Sequence, residues 1–124
     1  MGTLAIVAGL LLAQGTPTIV AEAPQAEEPE VGYRALLQGQ PAEAIAQIRA
    51  NWQLASSDPA ALINLGTAHA RMGDRARAEG YYLTAIGSRE RYDLQLADGS
   101  WMDSRAAART AIARLGRAEM LAVR

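Results

Sequence analysis

Apolar side chains in the middle of the chain recur every three or four residues, which is the spacing of one face of an α-helix. The spacing holds over residues 62–72, breaks at Gly73, and resumes over residues 78–86. Asp58 and Pro59 precede the first run, and both residue types are favoured where a helix begins. The pattern therefore predicts two antiparallel helices joined by a tight turn.

The chain also repeats itself with a period of 34 residues. Three pairs of small residues are related by this period: Gly32 and Gly66, Gly39 and Gly73, and Ala44 and Ala78. A fixed period of this length is typical of stacked helical units that share one core. We therefore expect residues 30–90 to form two helix hairpins, with Pro41 opening the second helix of the first hairpin.

Residues 59–86 resemble a tetratricopeptide repeat, whose pattern places a Leu-Gly pair, an aromatic residue and further alanines at fixed positions. The matching residues are Leu65, Gly66, His69, Ala78, Tyr82 and Ala85, with histidine in place of the usual tyrosine. The first copy keeps Gly32, Gly39 and Ala44 but has Ala35 and Ile48 at the aromatic positions. The resemblance implies an all-α fold, namely an α-solenoid of antiparallel helix hairpins.

Gly66 interrupts a good helix, and glycine costs about 1 kcal/mol relative to alanine there. In a hairpin of this kind the helices cross closely, so we expect Gly66 to lie against the second helix near Ala78. The change Gly66→Leu should then destabilise the protein by more than about 2 kcal/mol.

Proteins similar to tetratricopeptide repeats bind a peptide or a helix of a partner protein in a concave groove lined by the first helix of each hairpin. The resemblance places six residues in that groove: Tyr33, Leu36, Leu37, Asn64, Thr67 and Arg71. One alternative stays open, in which Leu36 and Leu37 are covered by the N-terminal segment or by another subunit.

The pattern changes after Ser88. Residues 92–102 alternate with period two around Asp98 and Gly99, which predicts a short β-hairpin or, equally, an irregular loop over residues 91–103. A last helix is expected over residues 104–124, covering the apolar end of the repeats.

The N-terminal 21 residues carry no charged side chain and contain a short apolar run, TLAIVAGLLLA. This run is typical of a signal peptide cleaved after Ala21, so we expect an exported, periplasmic protein. The alternatives are an uncleaved membrane anchor formed by residues 4–20 and an apolar helix packed on the domain. Residues 22–29 are expected to be a linker, because residues 22–30 contain four glutamates and two prolines.

The composition of the chain excludes several classes of function. The 12 basic and 13 acidic residues nearly balance, which gives no footprint for nucleic acid. The chain has no cysteine, no phosphate-binding glycine loop and one histidine, His69, at a repeat core position. We therefore expect a non-enzymatic adaptor or scaffold with no cofactor and no metal. The alternative is a structural accessory subunit of a membrane complex, and a homo-oligomer stays open.

Overall fold

The computed structural model describes residues 19–22 and 31–122 and is mainly helical in these ranges. The helices are α1 (Tyr33–Leu37), α2 (Pro41–Ala50), α3 (Trp52–Ala55), α4 (Pro59–Arg71), α5 (Arg75–Gly87) and α6 (Ser104–Ala122). The strands are β1 (Ala21–Glu22), β2 (Asp93–Leu96) and β3 (Trp101–Asp103). The expected signal peptide or anchor and the expected linker lie outside the described residues, apart from residues 19–22.

Helix α4 is the centre of the fold. Asp58 caps it by accepting a hydrogen bond from the Ala61 N–H at 3.3 Å, and Pro59 occupies its first turn. Every residue from Pro59 to His69 is buried, because α2, α5 and α6 all pack against this helix. A helix buried all round is expected to be apolar throughout, so its polar residues need partners inside the protein.

Glycines 34 residues apart make equivalent close contacts in the two halves of the repeat region. A Cβ added at Gly66 would lie 2.6 Å from the ring of Tyr82 and 3.1 Å from the Ala78 carbonyl oxygen. A Cβ added at Gly32 would lie 3.0 Å from Ile48 and 3.2 Å from the carbonyl oxygen of Ala44. Both glycines therefore permit a close approach to the next helix. The neighbour nearest to Gly66 is Tyr82, with Ala78 second.

The halves differ in the length of their first helix. Helix α1 has five residues, whereas α4 has 13. Gly32 lies before α1 with a φ of 76°, a left-handed conformation, while Gly66 lies inside α4. A helix that begins only after its glycine cannot repeat the full first helix of the second hairpin.

The apolar core consists of two clusters. The main cluster surrounds α4 and includes Leu62, Leu65, Tyr82 and Leu94. The second cluster joins the first hairpin to α4 and to the N-terminal segment, and its buried members are Val20, Ala35, Leu36, Ala44 and Ala68.

Residues 91–103 contain the β-hairpin rather than the irregular loop. Strands β2 and β3 pair in antiparallel register, with Leu94 opposite Met102. The turn is closed by the Leu96 N–H, which donates to the Ser100 carbonyl at 2.8 Å. Strand β1 was not expected: it pairs with the other edge of β2, where Ala21 lies opposite Leu96.

Helix α6 has the expected position and start. Asp103 accepts a hydrogen bond from the Ala106 N–H at 3.1 Å, so it caps the helix. Ala108 and Ala111 are buried where α6 packs on α4 and α5. Within residues 19–22 and 31–122, no helix is long and apolar enough to cross a bilayer.

Candidate binding site

Three residues of the predicted groove follow one another along α4, at the spacing of one helix face. They are Asn64, Thr67 and Arg71. Asn64 and Thr67 are fully buried. A buried amide or hydroxyl is costly unless it is hydrogen-bonded, so the partners of these two side chains define what the face of α4 binds.

Asn64 binds the main chain of the N-terminal segment. Its Oδ1 accepts the Ala21 N–H at 2.7 Å, and its Nδ2 donates to the Ala21 carbonyl, also at 2.7 Å. The same Nδ2 donates to the Val31 carbonyl at 3.0 Å. Both amide hydrogens and the amide oxygen are therefore used, and the whole side chain is committed to backbone groups.

Thr67 binds the N-terminal segment two residues before Ala21, at Ile19. Its Oγ1 donates to the Ile19 carbonyl at 2.7 Å and lies 2.9 Å from the Tyr82 hydroxyl. The carbonyl only accepts, so the single proton of Thr67 is used there and the Tyr82 hydroxyl must be the donor in the second bond. Burial raises the pKa of Tyr82 to about 12, which keeps this donor protonated at neutral pH.

The N-terminal segment therefore lies in a channel with two walls. One wall is the face of α4 that carries Asn64 and Thr67, and the other is the edge of β2, on which Ala21 and Leu96 pair. We call this channel the strand slot. Ile19, Val20 and Ala21 are all at most 3% exposed within it.

The side chains in the strand slot join the two core clusters. Ile19 and Ala21 belong to the main cluster, whereas Val20 belongs to the second cluster with Leu36 and Ala44. Alternation of side chains between two faces is the geometry of an extended strand. The slot thus holds the backbone by hydrogen bonds and admits apolar side chains on both faces.

The remaining residues of the predicted groove do not form one open surface with Asn64 and Thr67. Leu36 is completely buried, while Tyr33 and Leu37 are half-buried. Arg71 donates to the Leu36 carbonyl at 2.6 Å. Leu36 shares its cluster with Val20 of the N-terminal segment, whereas Leu37 is not part of that cluster.

His69 is packed beside one aromatic side chain, that of Tyr81. It is 7% exposed, and its ring stacks on Tyr81 with centroids 5.4 Å apart. Burial lowers the pKa of His69, which favours the neutral imidazole. Among residues 19–22 and 31–122, no three histidine or acidic side chains converge as a metal site would require.

Sequence reasoning missed residues 19–22 as part of the site. Their signal is short: two β-branched residues, Ile19 and Val20, follow Pro17 and Thr18, and five residues separate them from the end of the apolar run at Ala13. β-branched residues favour strands, but four residues are too few to show a period of two.

Comparison with known proteins gives no family assignment. No protein-family model matches the chain, and neither does any curated protein or solved structure. The tetratricopeptide resemblance therefore rests on the residues of the two copies alone.

Proposed function

We propose that the chain is a non-enzymatic interaction module, a tetratricopeptide-like adaptor or scaffold that binds an extended segment of a partner protein in the strand slot. The observation that carries the proposal is the paired hydrogen bonding of Asn64 to the N–H and carbonyl of Ala21. This arrangement recognises a main chain and therefore does not depend on one particular sequence.

The repeated contacts support a tetratricopeptide-like arrangement. Gly32 approaches Ala44 in the first half, and Gly66 approaches Ala78 in the second half, 34 residues later. The turns that follow the first helices also match, since Gly39 and Gly73 have φ values of 70° and 83°. In tetratricopeptide-like arrays the first helices line the concave face, and Asn64 and Thr67 belong to the first helix of the second half, α4.

The polar groups of the slot favour an extended ligand over a helical one. A helix satisfies its interior N–H and carbonyl groups internally, so it has none to offer Asn64. An extended peptide offers both groups of one residue on the same edge, as Ala21 does. Main-chain hydrogen bonds of this kind supply affinity when a peptide adds a strand to a sheet edge, and side-chain pockets supply specificity.

The pockets restrict the side chains of the ligand. The residues that fill them here are Ile19, Val20 and Ala21, all almost fully buried. Ala21 has no remaining exposed surface, so we expect a small residue at that position of any ligand. We therefore propose an apolar, β-branched segment ending in a small residue as the ligand class.

A peptide with the sequence of residues 17–24 tests the proposal on the full chain. The chain's own segment competes with it, so the test uses a variant with Ile19→Asp and Ala21→Asp, which disfavours burial of that segment. We expect the labelled peptide to bind this variant in fluorescence anisotropy and to raise its Tm by mass action. A peptide with aspartate at the same two positions is the matched control.

Two results would count against the proposal. One is no binding by a variant that keeps its helical circular dichroism. The other is equal binding of the native-sequence peptide and the aspartate peptide, since that would show that the slot is not the site.

A specific observation also favours the second candidate, a structural accessory subunit of a membrane complex held by its uncleaved apolar segment. Ile19, Val20 and Ala21 are core residues, so the last two residues of the segment 4–20 belong to the folded domain. Cleavage after Ala21 would remove the bonds of Asn64 to Ala21 and of Thr67 to Ile19, leaving Asn64 with Val31 and Thr67 with Tyr82. Each buried group left unpaired costs about 1–3 kcal/mol.

Intact-mass measurement of the native protein decides between the two candidates. A mass that begins at Glu22, in a soluble periplasmic extract, supports the exported adaptor. A full-length mass recovered from the membrane fraction supports the accessory subunit.

A further inference from the structure

The groups that hold β1 would hold the same strand from another copy equally well. Asn64 and Thr67 bind the backbone of Ala21 and Ile19, and β2 pairs with the backbone of Ala21 and Glu22. Each of these contacts is made between elements far apart in sequence. None of them requires the strand and the slot to belong to one chain.

The connection between β1 and α1 determines whether the strand slot is filled by the chain's own strand or by the strand of another copy. The Nδ2 of Asn64 donates to the Ala21 carbonyl at 2.7 Å and to the Val31 carbonyl at 3.0 Å, so the two oxygens are less than about 6 Å apart. Residues 23–30 must close this gap when the strand fills its own slot. A polyproline-like chain of eight residues spans about 25 Å, several times the gap.

The sequence of residues 23–30 resists such a closure. It is APQAEEPE, with two prolines and three glutamates and no basic residue. Prolines stiffen a linker toward extended conformations, and like charges repel along it. A linker whose preferred length does not match the span lowers the effective concentration of its own strand, which is in the millimolar range for short flexible linkers.

We propose that two copies of this chain exchange residues 19–22, each copy filling the strand slot of the other. Reciprocal exchange of an identical element gives a closed two-fold dimer without any new type of contact. In that dimer each linker runs between two domains, and it no longer has to turn back to Asn64. The inference rests on one part of the proposed function, namely that the slot accepts an extended segment from outside its own chain, and it applies to the chain that keeps residues 19–22.

The absence of cysteine from the chain makes a direct test available. Glu22 pairs with Gln95 in the register of β1 and β2. Directly opposed residues of antiparallel strands have Cα atoms about 4.5–5.5 Å apart, which suits a disulfide. One full-length chain therefore carries Glu22→Cys and a second carries Gln95→Cys, so that only strand exchange brings the two thiols together.

The two chains are mixed in a glutathione buffer that lets disulfides equilibrate, and the products are separated without reductant. Because the chain's own strand competes intramolecularly, we expect the linked heterodimer to increase about tenfold between roughly 20 and 200 µM total protein. The matched control pairs the Gln95→Cys chain with a Glu43→Cys chain, since Glu43 is exposed on α2 and measures random collision.

A heterodimer yield equal to this collision control at every concentration overturns the exchange. A chain carrying both Glu22→Cys and Gln95→Cys gives a second readout, because exchange requires linked dimers and a fixed strand gives only internally linked monomers. Peptide binding without heterodimers would leave the proposed function standing and remove the exchange. Heterodimers without peptide binding would support the exchange and would remove the free partner peptide as a ligand of the slot.

Discussion

Gly66 lies directly under the ring of Tyr82. A Cβ at position 66 would be 2.6 Å from Tyr82 Cε1, closer than real Cβ atoms approach a neighbour. The ring cannot move away easily, because Tyr82 is 1% exposed and its hydroxyl is hydrogen-bonded to Thr67. The glycine therefore sets the distance between α4 and α5.

We expect Gly66→Leu to lower the free energy of unfolding by more than about 2 kcal/mol and Gly66→Ala to lower it by about 1–2 kcal/mol, as overpacking does. Urea titrations measure both. Gly80→Ala is the matched control, since Gly80 lies in α5 with nothing within 4 Å of its added Cβ. It should stabilise by up to about 1 kcal/mol through helix propensity. Stabilisation by Gly66→Ala would contradict the close crossing.

Asn64 supports β1, and its removal should release that strand. Asn64→Ala leaves the Ala21 N–H and the carbonyls of Ala21 and Val31 without this partner, so we expect a loss of about 3 kcal/mol. Asn51→Ala is the control, because Asn51 is exposed and makes no capping bond through its side chain. It should change stability by less than about 0.5 kcal/mol.

Amide hydrogen exchange tests the release of β1 at single residues. The Ala21 N–H should be protected in the native chain, and Asn64→Ala should remove that protection while α5 amides keep theirs. A native Ala21 amide that exchanges as fast as an exposed loop would contradict the strand slot.

The helices and the β-hairpin followed from local patterns in the sequence. The apolar spacing and the cap at Asp58 predict where α4 begins, and the alternation around Asp98 and Gly99 gave the hairpin as one of two equal alternatives. The close approach of Gly66 to the next helix was what the tetratricopeptide resemblance implied. These features depend on residues that are near one another in sequence or are repeated.

Strand β1 could not be predicted in the same way. It is held by main-chain groups, which are the same for every sequence, and its partners are distant: Asn64 lies 43 residues from Ala21. The polar residues Asn64 and Thr67 lie on one face of α4, where both are buried. Their partner in this fold is a segment whose apolar character is typical of an exported or membrane-bound N terminus.

Asp58 joins α4 to the segment that precedes the β-hairpin. It accepts hydrogen bonds from the Ala61 N–H and from the Tyr92 hydroxyl. Asp58→Ala should therefore lower the free energy of unfolding by about 2 kcal/mol, because it removes both the helix cap and a charge-assisted hydrogen bond. Asp74→Ala is the matched control, because Asp74 caps α5 on the surface. It should cost about 1 kcal/mol or less.

A double-mutant cycle isolates the hydrogen bond between Asp58 and Tyr92. We expect Asp58→Ala and Tyr92→Phe together to cost at least about 1 kcal/mol less than the sum of the single changes. Thermal or urea unfolding of the four proteins supplies the measurement. Additive costs would show that the two side chains act independently.

Tyr82 should make the protein sensitive to alkali. Burial raises its pKa to about 12, whereas a tyrosine in the unfolded chain titrates near about 10. Below pH 10 both states keep the proton and the residue adds no pH dependence. Between about pH 10 and 12 only the unfolded state loses the proton, so the free energy of unfolding should fall by about 1.4 kcal/mol per pH unit.

Tyr82→Phe should reduce this slope and keep the ring against Gly66. It should also cost about 1 kcal/mol at pH 8, because Thr67 loses a donor. Part of the alkaline slope should remain, since burial and then the hydrogen bond to Asp58 raise the pKa of Tyr92 as well. Urea titrations at pH 8, 10 and 11 test this, and an identical slope in the native and Tyr82→Phe proteins would show that the Tyr82 hydroxyl is accessible to water in the folded state.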